Sequence, residues 1–194
     1  MNIFGASGHA KAVIDILPDI KAVKAIYDDF PKTNELMGIP VMSSEEMNWN
    51  KPRAGIIAVG NNKQRMDLAA RLKSQLEFVN IFHKTAIISN FVEVSHGIVV
   101  MEGAIIKVHT FLGAHVIVNT AATVDHDCWI GDYVHLAPRV TLCGNVHIGK
   151  GSLIGAGSVV LPGIKIGEWA IVGAGSTVHK DVPSGSKWIG KKLV

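Results

Sequence analysis

The residues IGKGSL IGAGSV VLPGIK IGEWAI VGAGST, from Ile148 to Thr177, place a branched aliphatic residue at every sixth position. The same column extends outward on both sides, through Phe82, Ile88, Val94, Val100, Ile106, Leu112, Val118, Val124, Ile130, Leu136 and Leu142 before it and Val178 after it. No polar residue falls in the column. Four positions later in each hexad the residue is again small or apolar, as at Ala86, Ala104, Ala122, Cys128, Val134, Val146, Ser152, Ser158 and Ala170. An amphipathic helix repeats its apolar residues at three and four, and a half-buried strand at two. A six-residue repeat signals a parallel β-helix, in which three short strands make a triangular coil of about eighteen residues. From Phe82 to Pro183 the chain then holds five to six coils, with a constant register and no long loop leaving the prism. Glycine recurs at the second hexad position (Gly113, Gly131, Gly149, Gly155, Gly167, Gly173), where a turn is expected to need a residue without a Cβ. A purely structural rod would show a flat ladder of one polar residue type, and none is present.

Composition narrows the function classes. With 194 residues the chain can bury a substantial core, and its net charge of +3 is carried by scattered basic residues, which argues against nucleic acid as a partner. Cys128 and Cys143 form no CxxC pair and Cys128 falls on an inward column, so both read as reduced thiols of a cytoplasmic protein. No hydrophobic run is long enough for a membrane span, and the N-terminus lacks the pattern of a signal peptide.

Before Phe82 the period changes. Asn2 to Phe4 reads as a strand, followed by the loop Gly5-Ala6-Ser7-Gly8-His9-Ala10-Lys11 and an apolar helical pattern at Ala12, Val13, Ile16 and Leu17. A second strand, Val23 to Tyr27, ends in Asp28-Asp29; a third, Gly55 to Val59, ends in Gly60-Asn61-Asn62 before a helical stretch from Gln64 to Leu76. This is the start of a βαβ arrangement, and the three loops at the carboxyl ends of the strands form one candidate pocket. Gly5 and Gly8 lack the full dinucleotide spacing, but a glycine loop feeding a helix N-terminus suits phosphate, and an acidic pair suits ribose or sugar hydroxyls.

Together the two halves carry a resemblance. The hexad pattern is similar to the left-handed β-helix of hexapeptide-repeat acyltransferases; the hand is implied by the resemblance, since periodicity does not reveal it. G-x-S-G-H-A-K in the first loop, D-D after the second strand and G-N-N after the third, joined to that β-helix, resemble the sugar acyltransferases that include the nucleotide-linked 4-amino-sugar N-acetyltransferases of bacillosamine and perosamine synthesis, with sialic acid O-acetyltransferases as relatives. The resemblance covers essentially the whole chain. It implies a Rossmann-like nucleotide-sugar-binding domain over residues 1–80 and a left-handed β-helix acetyltransferase domain over residues 81–194. The reaction it implies is transfer of acetyl from acetyl-CoA to the 4-amino group of a nucleotide-linked, UDP in expectation, amino-deoxy sugar. A homotrimer with sites between subunits is implied as well, and no metal.

The segment Val118 to Cys128, V-N-T-A-A-T-V-D-H-D-C, matches the family's N-T-x-x-x-V-x-H-[DE]-C. By that match His126 is the general base and Asp127 the carboxylate that raises its basicity. Chemistry agrees: an imidazole titrates near neutral pH and can take a proton from an attacking amine. Asp125 also flanks His126, and the residues alone leave open which carboxylate orients the ring. His126 occupies a third hexad position, which should point outward. The same carry-over gives His135 and Gly144 as acetyl-CoA contacts near the thioester and Ala156 and Ala174 as lining the pantetheine and adenine path, although small residues also suit β-helix turns. It assigns sugar-nucleotide contacts to Ser7, Gly8, His9, Asp28, Asp29 and Gly60. His96, His109, His115, His147 and His179 read as surface residues. Relatives close the prism with G-x-P-A-[KR]; here Trp188-Ile189-Gly190-Lys191-Lys192 keeps the glycine and a basic pair for a CoA phosphate but not the Pro-Ala.

Three other readings compete. O-acetylation of a sialic acid or another sugar would use the same base on a hydroxyl. A carbonic anhydrase-like zinc site needs converging histidines, two of them five residues apart, a spacing that no histidine pair here has. A scaffold without catalysis would fail to bind acetyl-CoA.

Overall fold

The computed structural model describes residues 1–47 and 53–194, and the chain divides into two units, Met1–Ile81 and Phe82–Val194. In the first unit, β1 (Asn2–Phe4) leads into α1 (Gly8–Asp15), followed by β2 (Ala25–Asp28), β3 (Glu35–Leu36), β4 (Ile39–Ser43), β5 (Arg53–Ile57), α2 (Asn62–Leu72) and β6 (Leu76–Phe78). These strands form one sheet in the order β3-β4-β2-β1-β5-β6. All neighbours are parallel except β3, which pairs antiparallel with β4 at the edge. The sheet is thus wider than the three strands read from the sequence. The helix expected to run to Leu76 stops at Leu72, because Leu76 is claimed by the sheet, opposite Arg53 on β5. Helix α1 buries Ala10, Val13 and Ile14 and leaves Ala12 exposed. Strand order reverses at β1, and a crevice opens at the carboxyl ends of the strands beside it.

As far as Val178 the second unit is a three-faced prism of two-residue strands, each made of hexad positions six and one. On the first face Val99, Ile117, His135, Leu153 and Ile171 stand in register. On the second face Ile87, Ile105, Thr123, Thr141, Val159 and Thr177 do so. The third carries Glu93, Phe111, Trp129, His147 and Lys165. Every step in these ladders is eighteen residues. Position-one residues from Val100 to Val178 are at most 2% exposed, and each such side chain removed from water contributes roughly 1.5–3 kcal/mol. Phe82 and Val94 are exposed, since coils at the start of the prism have a neighbour on one side only.

Glycine plays two distinct parts in the repeat. Positive φ falls at the fourth hexad position, not the second: Gly151, Gly157 and Gly175 adopt it, and so do Asp127, Tyr133 and Asn145. Glycine at the second position answers to stacking instead. A Cβ on Gly155 would lie 2.5 Å from the Ala174 backbone nitrogen, and one on Gly149 would lie 2.5 Å from that of Glu168.

The register also shifts near the end. Ile166 bridges Val182 and Val172 pairs with Trp188, both steps of sixteen residues. Trp188 is fully buried, packs its ring against His179 at 5.2 Å, and closes the core. The strand Lys187–Ile189 then turns back through Gly190 onto Lys192–Leu193. His115, expected at the surface, is 1% exposed and stacks at 5.2 Å on Tyr133, room for its ring being left by Gly97, whose Cβ would lie 2.4 Å from His115 Nδ1. Cys128 lies in the core and burial pushes its thiol up to about 11. Among the described residues no helix is long and apolar enough to cross a membrane.

Candidate active site

In the first unit the crevice is a cavity of about 700 Å³. Gly5, Ala6 and Ser7 line it from the loop after β1, Asp28 from the end of β2, Asp29 and Phe30 from the loop that follows, and Val59 from the segment after β5. The first two loops that the sequence grouped therefore meet, while of the third, Gly60-Asn61-Asn62, no residue lines the cavity. Gly5 permits this: its φ is +107°, and a Cβ there would lie 2.8 Å from Val59 and 2.9 Å from the Ala58 carbonyl oxygen. Of the six residues assigned to the sugar nucleotide, Ser7, Asp28 and Asp29 line the cavity, whereas Gly8, His9 and Gly60 do not. His9 packs beside Gly60. Burial, reinforced by the Arg65 charge, lowers its imidazole to about 4 and keeps it neutral. Arg65 is itself buried and donates to the carbonyl oxygens of Val59 and Gly60, fixing that loop from behind.

The two aspartates differ in role. Asp28 ties two loops together, accepting from the Ala6 N–H at 2.8 Å and the Phe30 N–H at 2.9 Å. Asp29 holds Arg71 through both carboxylate oxygens at 2.7 Å. Partial desolvation pushes the Asp29 carboxyl up, but hydrogen bonds from Arg71 and Ser44 and the Arg71 charge outweigh it and leave it below its ordinary value. Helix α1 begins at Ser7 with no side-chain cap, while α2 is capped by Asn61, whose side chain accepts from the Gln64 N–H. Ser7, the N-cap of α1, lines the cavity, and the partial positive charge of the helix N-terminus favours an anion there. Sequence reading missed Phe30, which is 83% exposed, and the face of α2 made by Gln64, Asp67, Leu68 and Arg71. Their three- and four-residue spacing was the available signal.

On the prism, His126 stands on the turn joining Thr123–Val124 to Trp129–Ile130, an edge between the second and third faces. Its ring and the Asp127 side chain are both 54% exposed. His126 Nδ1 lies 2.6 Å from Asp127 Oδ2, while Asp125 Oδ1 accepts the His126 backbone N–H at 2.9 Å. Asp127 thus contacts the ring and Asp125 the main chain. The hydrogen bond to Asp127 and the Asp125 charge raise the imidazole above its ordinary value. Gly144 lies one coil on, at the same edge. A Cβ there would lie 2.8 Å from His126 Nε2, so glycine makes the space in which the ring stands. Such a pair can accept a proton at Nε2 and stabilise the resulting imidazolium.

The remaining assigned residues lie elsewhere on the prism. His135 is on the first face, its Nε2 3.1 Å from Asn119 Nδ2. Ala156 and Ala174 are exposed on successive turns between the first and second faces. One chain therefore presents the His126–Gly144 group and the Ala156–Ala174 group on two different edges. Lys191 and Lys192 are exposed at the terminal hairpin.

A Rossmann-like sheet followed by a hexapeptide prism with an outward, carboxylate-paired histidine defines an acyltransferase of the hexapeptide-repeat class. Residues 1–72 match the PglD N-terminal domain, and residues 145–180 match the bacterial transferase hexapeptide (six repeats). Over its whole length the chain superposes on a histidine mutant of perosamine N-acetyltransferase from Caulobacter crescentus in complex with CoA and GDP-perosamine, with a TM-score of 0.90, 33% identity and 95% of that chain covered. It matches the acetyltransferase domain of PglB from Neisseria gonorrhoeae, in complex with acetyl coenzyme A, equally well: TM-score 0.90, 30% identity, 100% of this chain and 97% of that one covered. GDP-perosamine N-acetyltransferase from Escherichia coli O157:H7 is 29% identical over 84% of this chain and 78% of its own length. The chain belongs to the left-handed β-helix sugar N-acetyltransferases.

Proposed function

We propose that this protein transfers acetyl from acetyl-CoA to the 4-amino group of a nucleoside-diphosphate-linked amino-deoxy sugar, in the cytoplasm. The amine nitrogen attacks the thioester carbonyl carbon directly. His126 takes the proton from nitrogen, the C–S bond breaks, and the imidazolium returns the proton to the departing thiolate, giving the amide and CoA. The observation that carries this reading is the 2.6 Å contact of Asp127 with His126 Nδ1, which leaves Nε2 as the basic nitrogen above Gly144. The N-terminus of α1 at Ser7 and the cavity that Asp28 organises support binding of the diphosphate and the nucleoside. Sites formed between copies of a homotrimer are supported by the two separate edges. The second face between them carries Ile105, Thr123, Thr141, Val159 and Thr177 and no charge.

The test supplies acetyl-CoA with UDP- or GDP-linked 4-amino sugars, UDP being the sequence expectation and GDP the nucleotide of the two perosamine N-acetyltransferases named above, and follows CoA thiol release and product mass. N-acetylation of either sugar is expected, with kcat falling about 10²–10⁴-fold in His126→Ala. Acetylation confined to a sialic acid hydroxyl, or an unchanged kcat in the variant, would overturn the reading.

A further inference from the structure

Asn119 follows the strand Ile117–Val118 on the first face, and its neighbours decide which way its amide points. The Thr120 backbone N–H lies 2.8 Å from Asn119 Oδ1. A backbone N–H only donates, so this atom is the amide oxygen and the other end is Nδ2, which only donates. The Thr120 hydroxyl in turn donates to Glu102 Oε1 at 3.0 Å, from one coil earlier, which anchors the threonine. Nδ2 is 3.1 Å from His135 Nε2. A donor facing a ring nitrogen requires that nitrogen to accept, so Nε2 carries no proton and the ring proton sits on Nδ1. A second proton would set N–H against N–H across this contact.

We propose that Asn119 is a positioning residue that locks His135 as the neutral Nδ1–H tautomer, so that the ring meets the acyl-donor oxygen as a hydrogen-bond donor and not as an acceptor. The two site histidines are then set in opposite ways by short polar partners. A carboxylate on Nδ1 makes His126 a proton acceptor at Nε2, and an amide on Nε2 makes His135 a donor at Nδ1. The assignment of the acyl oxygen to His135 rests on the acetyl transfer proposed above and on the acetyl-CoA contact that the family resemblance implies for this residue; the tautomer lock does not.

Ring nitrogen shifts of [15N]histidine-labelled full-length protein at neutral pH test the lock, with the His135 signals identified by their loss in His135→Gln. A protonated Nδ1 and an unprotonated Nε2 are expected. Asn119→Asp puts an acceptor opposite Nε2 and should move the proton there, with a kcat loss on the order of 10²-fold, the scale for one misplaced oxyanion donor, and little change in KM for the sugar nucleotide. Asn119→Ala should give a mixture of tautomers and serves if the aspartate variant folds poorly. A wild-type ring protonated at Nε2, or an unmoved proton in Asn119→Asp, would overturn the proposal. Full kcat in His135→Gln with the expected shifts would instead leave the lock standing and refute the acyl contact.

Discussion

In the proposed reaction the carboxylate that strengthens His126 as a base also delays its availability, because a raised imidazole must lose its proton before it can take one from the amine. The acid limb of kcat/KM should therefore lie above the ordinary histidine value of about 6.5, with activity rising as pH climbs through it. Replacing Asp127 with Asn removes the charged acceptor at Nδ1, so the limb should move down toward about 6.5 while the plateau rate falls; an unmoved limb would assign it to another group. His9 gives the opposite sign. Its folded value of about 4 lies below the unfolded one, so the unfolded chain takes up the proton first as pH falls. Its contribution is complete above about pH 6.5 and is lost toward pH 4, by up to about 3 kcal/mol. Urea melts across this range should show a shallower acid slope in His9→Gln. The contact of His126 with Asp127 joins neighbours in sequence, yet with Asp125 on the other side the residues alone left open which carboxylate meets the ring. The Asp28 bond to the Ala6 N–H spans twenty-two positions, and nothing in either loop alone announces it.

Among the elements, the hexad column was legible to the residue from Val100 to Val178, since an inward position repeated over so many turns leaves one arrangement that buries it. The two kinds of glycine were not, because stacking between coils is a contact across eighteen residues. They separate by substitution. Gly155→Ala drives a methyl toward the Ala174 backbone and should lower the melting temperature strongly. Gly157→Ala meets nothing within 4 Å and should cost only the left-handed strain of about 1–2 kcal/mol. Comparable losses by calorimetry would contradict that division. Helix α2 was overrun in the reading because Leu76 suits a helix as well as a strand, and only its pairing beside Arg53 tells them apart.

For the whole molecule, the separation of the His126 edge from the Ala156 edge makes shared sites testable by mixing subunits. His126→Ala inactivates one edge and Ala156→Trp obstructs the other, so each variant alone should be inactive. Co-expressed at equal levels, they should recover activity in about one quarter of sites, where an intact edge of each kind meets across an interface. Absence of recovery in confirmed mixed oligomers would locate each site within one chain. The last coil, two residues short and sealed by Trp188, has an evolutionary corollary. An insertion or deletion of eighteen residues leaves every downstream face where it was, whereas most other lengths rotate the rest of the prism. Length variation along this fold is thus quantised, and the terminal coil, already out of step, is where a smaller change can be absorbed.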